Sequence, residues 1–294
     1  MQIAANGITL EVEDHGPSNG EPLLLVMGLG MQLLAWQEDF VALLVGRGFR
    51  VIRFDNRDIG LSQSLDPLGV PNLALDSIRY ALRLRITSPY SLTDMANDCV
   101  GLLDALGIAR AHVCGASMGG MIAQRMAERH PGRVKSLTLM MTSSGSRKLP
   151  GPSLKVRRAL IAQPKRPNDV ASIAEHYVRL YGLIGSPAYP SPADALRARF
   201  IRSVRRSHRP AGTVRQLAAI AADGDRSELL ARLHVPTHVI HGTADPLIPV
   251  PAGRDLASRI AGATLEVIDG MGHDLPVELW PRFVAGISGV ASRT

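Results

Sequence analysis

The sequence predicts an α/β fold in which a mostly parallel β-sheet is covered by helices on both faces and carries an inserted helical cap. Short apolar runs alternate with helical periodicity through most of the chain, and one stretch without strands interrupts this alternation. Of the 294 residues, 46% are hydrophobic and 20% charged, which is enough to bury a large core. We therefore expect a core of residues 1–142 and 228–294 and a cap of residues 143–227.

The elements are predicted in order along the chain. The N-terminus, in which residues 1–5 run into residues 8–12, is typical of a strand. The later runs are mostly continuous and apolar, as in parallel strands buried on both faces. The later predicted strands cover residues 22–27, 49–55, 110–114, 134–142, 237–241 and 264–269. The predicted helices between and after them cover residues 36–47, 92–106, 118–130, 252–260 and 277–287.

The predicted cap carries most of the basic charge. Between Arg147 and Arg215 there are fifteen Lys and Arg residues and three Asp and Glu residues, against a net charge of +7 for the whole chain. A basic cluster such as Arg202, Arg205 and Arg206 is most often a solvated helix face, and the alternative is attraction of an anionic substrate or surface. Aromatic residues make up 4% of the chain and are not interleaved with the cluster, so we expect no nucleic-acid partner.

Ser117 lies in a Gly-x-Ser-x-Gly motif, between an apolar run that ends at Cys114 and a helical segment that begins at Met118. This context is typical of a nucleophile elbow, in which a sharp turn exposes the serine hydroxyl. Gly115 and Gly119 would let the strand and the helix pass closely, because neither carries a side chain. The motif therefore predicts that Ser117 is a nucleophile.

A serine nucleophile needs a histidine base and an acid that orients the histidine. Of the nine histidines, only His273 lies in a glycine-rich loop directly after a predicted strand. His241 is the nearest rival, but it precedes the acid and is interpreted as a packing residue. The predicted strand over residues 134–142 is followed by no carboxylate, whereas the next one is followed by Asp245. We therefore predict that Asp245 orients His273.

An oxyanion forms on the carbonyl oxygen when a serine attacks an ester, and two backbone N–H groups are expected to stabilise it. One is the N–H of Met118, which follows the predicted nucleophile. The other is expected in the loop after the predicted strand over residues 22–27, where Leu29 is best placed. These two residues are the predicted oxyanion hole.

Together these motifs resemble the α/β-hydrolase fold superfamily over nearly the whole chain. The resemblance includes the loop over residues 27–30, the stretch over residues 55–62, and the chain order Ser117, Asp245, His273. The motifs Met-Gly, Ala-Ser-Met-Gly-Gly and Gly-Met-Gly-His-Asp-Leu-Pro are similar to those of the aclacinomycin methylesterase type of bacterial carboxylester hydrolases. This resemblance implies methyl esters or other small carboxylic esters as substrates.

Two positions depart from the family pattern. Met27 stands where a histidine is usual, and the loss of that bracing side chain leaves the backbone N–H groups in place. Asp58 stands where a glycine is common, and its expected role is structural, in a network of Arg57 and carboxylates that braces the loops.

Several side chains near the motifs are candidates for an apolar substrate pocket. Methionine lines irregular cavities well because its thioether side chain is flexible. The alternative for each methionine is ordinary core packing. For Met121 we expect a packing role and a pocket role equally. Trp36 either lines the pocket or begins a helix. The candidates are Gly28, Met31, Trp36, Met121 and Met271.

The sequence favours a serine carboxylesterase that acts on a small-molecule ester without a metal or other cofactor. The same triad is compatible with lactone hydrolysis, carbon–carbon bond hydrolysis or perhydrolysis, and an α/β-hydrolase that binds a ligand with little turnover is the alternative from another class. Ser117 argues against an aspartate nucleophile. We expect no membrane span and, with an N-terminus that predicts a strand instead of a signal peptide, a cytoplasmic location.

Overall fold

The computed structural model of the chain describes residues 1–294. Its centre is one eight-stranded sheet with the strand order β1-β2-β4-β3-β5-β6-β7-β8. The β1–β2 and β2–β4 pairs are antiparallel and all other pairs are parallel. The strands are β1 Gln2–Ala5, β2 Ile8–His15, β3 Glu21–Val26, β4 Phe49–Phe54, β5 Ala111–Ala116, β6 Val134–Met140, β7 Thr237–Gly242 and β8 Thr264–Ile268.

Eleven α-helices accompany the sheet, and the predicted α/β fold with a mostly parallel sheet is confirmed. The helices are α1 Glu38–Val45, α2 Leu73–Ala81, α3 Leu92–Ala105, α4 Met118–Arg129, α5 Leu154–Ile161, α6 Val170–Ile184, α7 Ala193–Arg206, α8 Pro210–Asp223, α9 Ser227–Leu230, α10 Pro251–Arg259 and α11 Trp280–Ala291. The sequence analysis predicted a strand over the N-terminal residues, where the structure has the two strands β1 and β2, and it did not predict α2. Helix α2 has no apolar face toward the core, because Asp76 is its one buried residue.

Helices cover the sheet on both faces, as the alternation of side chains along β3 shows. Leu23 and Leu25 belong to a hydrophobic cluster with Phe40 of α1 and Phe283 of α11. Leu24, in contrast, belongs to a second cluster that includes buried residues of α3, α4 and α10. Successive side chains of a strand point to opposite faces, so the continuously apolar sequence of β3 is explained by burial on both sides.

A helical segment without strands lies between β6 and β7, and buried ion pairs join it to the rest of the chain. Arg215 of α8 donates to Asp58 at 2.7 Å, and both side chains are fully buried. Arg206 of α7 donates to the buried Asp55 at 2.6 Å. Asp58 has a φ of 74°, a left-handed conformation that aspartate adopts more readily than most residues. These pairs hold the inserted helices in a fixed place on the sheet.

None of the helices combines the length and the hydropathy needed to cross a lipid bilayer.

Candidate active site

Ser117 occupies a strained turn between β5 and α4. Its φ of 55° and ψ of −120° are uncommon for a residue with a side chain. A Cβ atom built on Gly115 would lie 2.3 Å from the carbonyl oxygen of Gly119, and one built on Gly119 would lie 2.0 Å from that of Val26. The two glycines are therefore required by the close approach of α4 to β3 and β5.

Ser117, His273 and Asp245 form a continuous chain of hydrogen bonds. His273 Nε2 lies 3.0 Å from Ser117 Oγ, and His273 Nδ1 lies 2.7 Å from Asp245 Oδ2. A carboxylate only accepts, so Nδ1–H donates to Asp245, and Nε2 is left to accept from the serine hydroxyl. The arrangement can deprotonate the hydroxyl while the carboxylate stabilises the resulting imidazolium.

The sheet brings these three residues together from distant parts of the chain. Ser117 follows β5, Asp245 follows β7, and His273 follows β8, so all three lie beyond the carboxyl ends of parallel strands. Asp245 is fixed by its own loop, since its Oδ1 accepts from the N–H groups of Leu247 at 2.9 Å and Ile248 at 2.8 Å. Its other oxygen is thereby aimed at the histidine.

His241 is a second histidine at this edge, and it contacts the same carboxylate. Its Nε2 donates to the carbonyl oxygen of Ile248 at 2.7 Å and lies 3.6 Å from Asp245 Oδ2. Burial lowers the pKa of His241, so the ring is neutral at pH 7. It does not reach Ser117, and its side chain is fully buried.

The two N–H groups of the predicted oxyanion hole are free to bind a substrate oxygen. The N–H of Leu29 has no acceptor within the chain. Met118 is the first residue of α4, so its N–H has no acceptor inside that helix. Gly28 approaches the serine closely, because a Cβ built there would lie 3.1 Å from Ser117 Cβ. A side chain at this position would crowd the side chain of Ser117.

The loop that carries His273 is fastened to the inserted helical segment. The N–H of His273 donates to the carbonyl oxygen of Ile184, the last residue of α6, at 2.7 Å. Ser186 accepts from the N–H of Gly272 at 2.8 Å and donates to the carboxylate of Asp274. Burial raises the pKa of Asp274 above its ordinary value. Sequence reasoning missed Ser186 and Asp274, because their contact spans 88 residues of the chain.

A small cavity of about 30 Å³ lies between the loop after β3 and the inserted helices. Met31 lines it, and the hydroxyl of Tyr181 lies 3.8 Å from the Met31 sulfur. Phe200 stacks on Tyr177 with ring centroids 5.2 Å apart. Sequence reasoning missed these aromatic residues, although Tyr177 and Tyr181 lie four positions apart on one helix face. Apolar and polar side chains both line it. The lining residues are Gly30, Met31, Gln32, Ile59, Gly60, Tyr177, Phe200, Ser203, Val204, Ser207, His208, Arg209 and Thr213.

The remaining pocket candidates lie in the hydrophobic clusters beneath the site. Trp36 is fully buried and stacks on Phe40 at 5.7 Å between ring centroids. Met271 is fully buried in the same cluster, and Met121 is 8% exposed in the cluster on the other face of the sheet. The structure brings neither methionine nor Trp36 to the cavity beside Met31.

Arg57 and the basic cluster both take part in ion pairs with acidic residues. Arg57 donates to Asp98 at 2.6 Å, within the network expected around Asp58. Arg202 lies 3.6 Å from Glu38, and Arg206 is bound to Asp55 as described above. No group of three or more His, Cys, Asp and Glu residues is arranged to bind a metal ion.

Comparison with known proteins gives matches along nearly the whole chain. Residues 21–278 match the family described as alpha/beta hydrolase fold. The chain is 30% identical over 312 residues to a rhodomycin D methylesterase of Streptomyces peucetius, covering 97% of this chain and 95% of the relative. It is 26% identical over 284 residues to 3-oxoadipate enol-lactonase 1 of Acinetobacter baylyi, covering 96% and 93%.

Solved structures agree with this match. The enol-lactonase from Burkholderia xenovorans LB400 superposes with a TM-score of 0.76 at 26% sequence identity, covering 99% of this chain and 100% of that chain.

Proposed function

The chain belongs to the alpha/beta hydrolase fold family, and we propose that it hydrolyses carboxylic esters through an acyl-enzyme intermediate on Ser117. The observation that carries the proposal is the hydrogen-bond chain from Ser117 Oγ through His273 to Asp245, at 3.0 Å and 2.7 Å. The fixed carboxylate holds the histidine in the tautomer that can accept the serine proton. One relative is named a methylesterase and another an enol-lactonase, and both names refer to cleavage of a carboxylic ester bond.

The first half of the reaction transfers the acyl group to the protein. His273 Nε2 takes the hydroxyl proton as Ser117 Oγ attacks the carbonyl carbon, and the negative charge on the carbonyl oxygen is stabilised by the N–H groups of Leu29 and Met118. The tetrahedral intermediate collapses when the ester C–O bond breaks. His273 returns the proton to the leaving alcohol, and Asp245 stays ionised throughout.

The second half releases the acid. A water molecule takes the place of the alcohol, His273 Nε2 removes one of its protons, and the resulting hydroxide attacks the acyl carbon. The same two N–H groups stabilise the second oxyanion. Collapse breaks the bond to Ser117 Oγ, which recovers its proton from His273 and leaves a free carboxylic acid.

We infer small to medium apolar esters as the substrate class, which the methylesterase relative and the apolar side chains beside the oxyanion loop support. Met31, Ile59, Tyr177, Phe200 and Val204 contribute apolar surface to the cavity next to the oxyanion loop. The helical segment over residues 143–227 acts as a cap that supplies part of this wall, through Tyr177, Phe200 and Val204. We also assign Gly28 to the site, because it lies against Ser117.

Lactone hydrolysis is the second candidate function. It uses the same triad, because a lactone is a cyclic ester whose leaving alcohol stays attached to the acyl group. Two enol-lactonases among the relatives and solved structures favour it, each 26% identical to this chain.

The test is a series of p-nitrophenyl esters of increasing acyl length, with a methyl ester and a lactone included. We expect turnover that is highest for short or medium esters, together with labelling of Ser117 by a serine-directed organophosphonate. Turnover restricted to the lactone would favour the second candidate. Labelling at a different serine, or no turnover of any ester, would overturn the assignment of Ser117.

A cytoplasmic location is also part of the proposal. Cys99 and Cys114 are both free and buried, which suits a reducing compartment.

A further inference from the structure

The exposed large apolar side chains of this chain are concentrated in two neighbouring segments. Ten of the fourteen exposed large hydrophobic residues lie within residues 68–84 and 154–161, so their exposure is a local feature of the fold. We call residues 68–86 and 147–166 together the apolar–basic surface. Its exposed apolar residues are Leu68, Val70, Leu75, Ile78, Tyr80, Leu82, Leu84, Leu154, Leu160 and Ile161.

Helix α2 reverses the usual burial of a surface helix. Ile78 of the helix and Leu82, the residue after its last turn, are 58% and 63% exposed, whereas the one buried residue of the helix is Asp76. A helix on a protein surface normally turns its apolar face to the core and its charged residues to water. The apolar side chains of α2 are therefore available to a partner outside the chain.

Helix α5 has the same character, and the segment that precedes it contacts α2. It buries Val156 alone, while Leu154 and Ile161 are 63% and 64% exposed. Arg147, which precedes α5, donates to the carbonyl oxygen of Tyr80 at 3.1 Å, and its guanidinium lies 4.3 Å from the centroid of the Tyr80 ring. This contact joins the two segments at the surface.

Positive charge is interleaved with these apolar residues. The apolar–basic surface contains ten Lys and Arg residues and one acidic residue, Asp76. Arg79 is paired with Asp76 and Arg166 with Asp169, and the other eight cations have no acidic partner. The sequence Leu-Arg-Leu-Arg over residues 82–85 places both kinds of side chain side by side.

The charge distribution decides which partner fits. A two-fold dimer through this surface would place the same cations opposite one another, which is unfavourable. Nucleic acid would match the charge but would leave the aliphatic side chains without a partner. Its bases would need aromatic side chains to stack on, and the guanidinium of Arg147 already lies over Tyr80, the one aromatic side chain exposed there. An anionic lipid–water interface offers phosphate groups to the cations and an acyl boundary to the aliphatic side chains.

We propose that the apolar–basic surface docks the protein on an anionic lipid–water interface. Helices α2 and α5 then lie in the plane of the interface, with their leucine and isoleucine side chains in the acyl boundary. Helix α2 packs against α8 and α5 against α6, and these helices carry Thr213 and Tyr177 at the cavity described above. Docking therefore places the cavity wall close to esters dissolved in the membrane.

The experiment measures binding to vesicles of phosphatidylcholine alone and of equal parts phosphatidylcholine and phosphatidylglycerol by co-sedimentation. The protein carries Ser117→Ala, so the result does not depend on hydrolysis or on the proposed function. We expect binding to the mixed vesicles at low ionic strength, little binding to phosphatidylcholine alone, and a weaker association at about 1 M salt, where the screening length is about 3 Å.

Two sets of variants locate the contact. Replacing Ile78, Leu82 and Ile161 by serine should lower the partition coefficient at least about tenfold, and so should Arg83→Glu with Arg158→Glu. The matched controls are Leu43→Ser with Val277→Ser, which are exposed apolar positions elsewhere, and Arg129→Glu. In the background with Ser117 intact, all variants should keep the parent turnover of a water-soluble ester.

Three outcomes would overturn the proposal. They are absence of binding to the mixed vesicles, equal binding to both vesicle types, and an equal loss of binding in the control variants. Light scattering gives a further check, since a dimer that the serine variants dissociate would assign the surface to a second copy of the chain.

Discussion

Ser186 donates a hydrogen bond to Asp274, and this contact fastens the inserted helical segment to the residue that follows His273. Ser186 also accepts from the N–H of Gly272 at 2.8 Å, so one hydroxyl binds the residues before and after His273. The position of the proposed base therefore depends on a residue outside the sheet.

Ser186→Ala should lower both stability and turnover. It leaves the N–H of Gly272 and one oxygen of Asp274 without a partner, which costs about 1–3 kcal/mol of the free energy of unfolding. Asp274→Asn is the matched control, because its side-chain oxygen still accepts from Ser186 and its burial carries no charge. Urea unfolding and kcat measure the two effects. Equal losses in the two variants would contradict the role given to this hydrogen bond.

Replacement of Ser117 should separate chemistry from backbone strain. Both Ser117→Ala and Ser117→Gly should lose about 10⁶ in turnover, as expected for a triad nucleophile. The free energy of unfolding should be about 1 kcal/mol higher for the glycine variant than for the alanine variant, because φ is 55° at this position. At Ser258, on the exposed face of α10, the alanine variant should be more stable than the glycine variant. A glycine variant less stable than the alanine variant at Ser117 would argue against strain.

Asp245→Asn should lower kcat by about 10⁴ with little change in stability, because the amide no longer holds His273 in the required tautomer. Asp269→Asn is the control, since Asp269 contacts Thr243 at 2.9 Å and not the histidine. Asp55→Asn should act through stability, because Asp55 is bound to Leu33 N–H at 2.7 Å and to Arg206 at 2.6 Å. Full activity in Asp245→Asn would transfer the role to another carboxylate.

Arg215→Met should destabilise the protein by about 3–5 kcal/mol, because it leaves the buried charge of Asp58 without its cation. Adding Asp58→Asn should recover much of the loss, since the asparagine keeps a side-chain oxygen for the N–H of Leu65, now 3.0 Å from Asp58. Guanidinium unfolding of the two single variants and the double variant measures the coupling. Additive losses would show that the two residues stabilise the fold independently.

His241 should make stability depend on pH. Burial lowers its pKa in the folded protein, whereas the unfolded chain keeps an ordinary histidine pKa of about 6.5. As the pH falls through about 6.5, the unfolded state gains a proton that the folded state does not, and the free energy of unfolding falls by up to about 1.4 kcal/mol per pH unit.

Buried carboxyls such as Asp55, Asp98 and Asp274 have raised pKa values, so they increase the free energy of unfolding as the pH falls further. The test therefore compares variants with the parent protein. His241→Gln should flatten the slope of stability against pH between about 7.5 and about 5.5, and His234→Gln, at an exposed position, should not. Identical slopes in the parent and in His241→Gln would remove His241 as the cause.

The sequence by itself determined the alternation of strands and helices and the strand that precedes each proposed catalytic residue. These are local properties: the period of the apolar residues identifies each element, and Gly115 is required by its close approach to Gly119 within the same turn. Because parallel strands end at one edge of a sheet, the order of Ser117, Asp245 and His273 was sufficient to predict that they lie together.

Only the tertiary structure decided which residues of the inserted segment meet the core. Ser186 reaches Asp274 across 88 residues, Arg215 reaches Asp58 across 157, and neither contact leaves a periodic pattern in the sequence. Helix α2 illustrates the same limit, because its composition does not reveal that Asp76 is buried and Ile78 exposed. Such contacts depend on how the surfaces of separate elements pack together, and local periodicity specifies an element without specifying its neighbour.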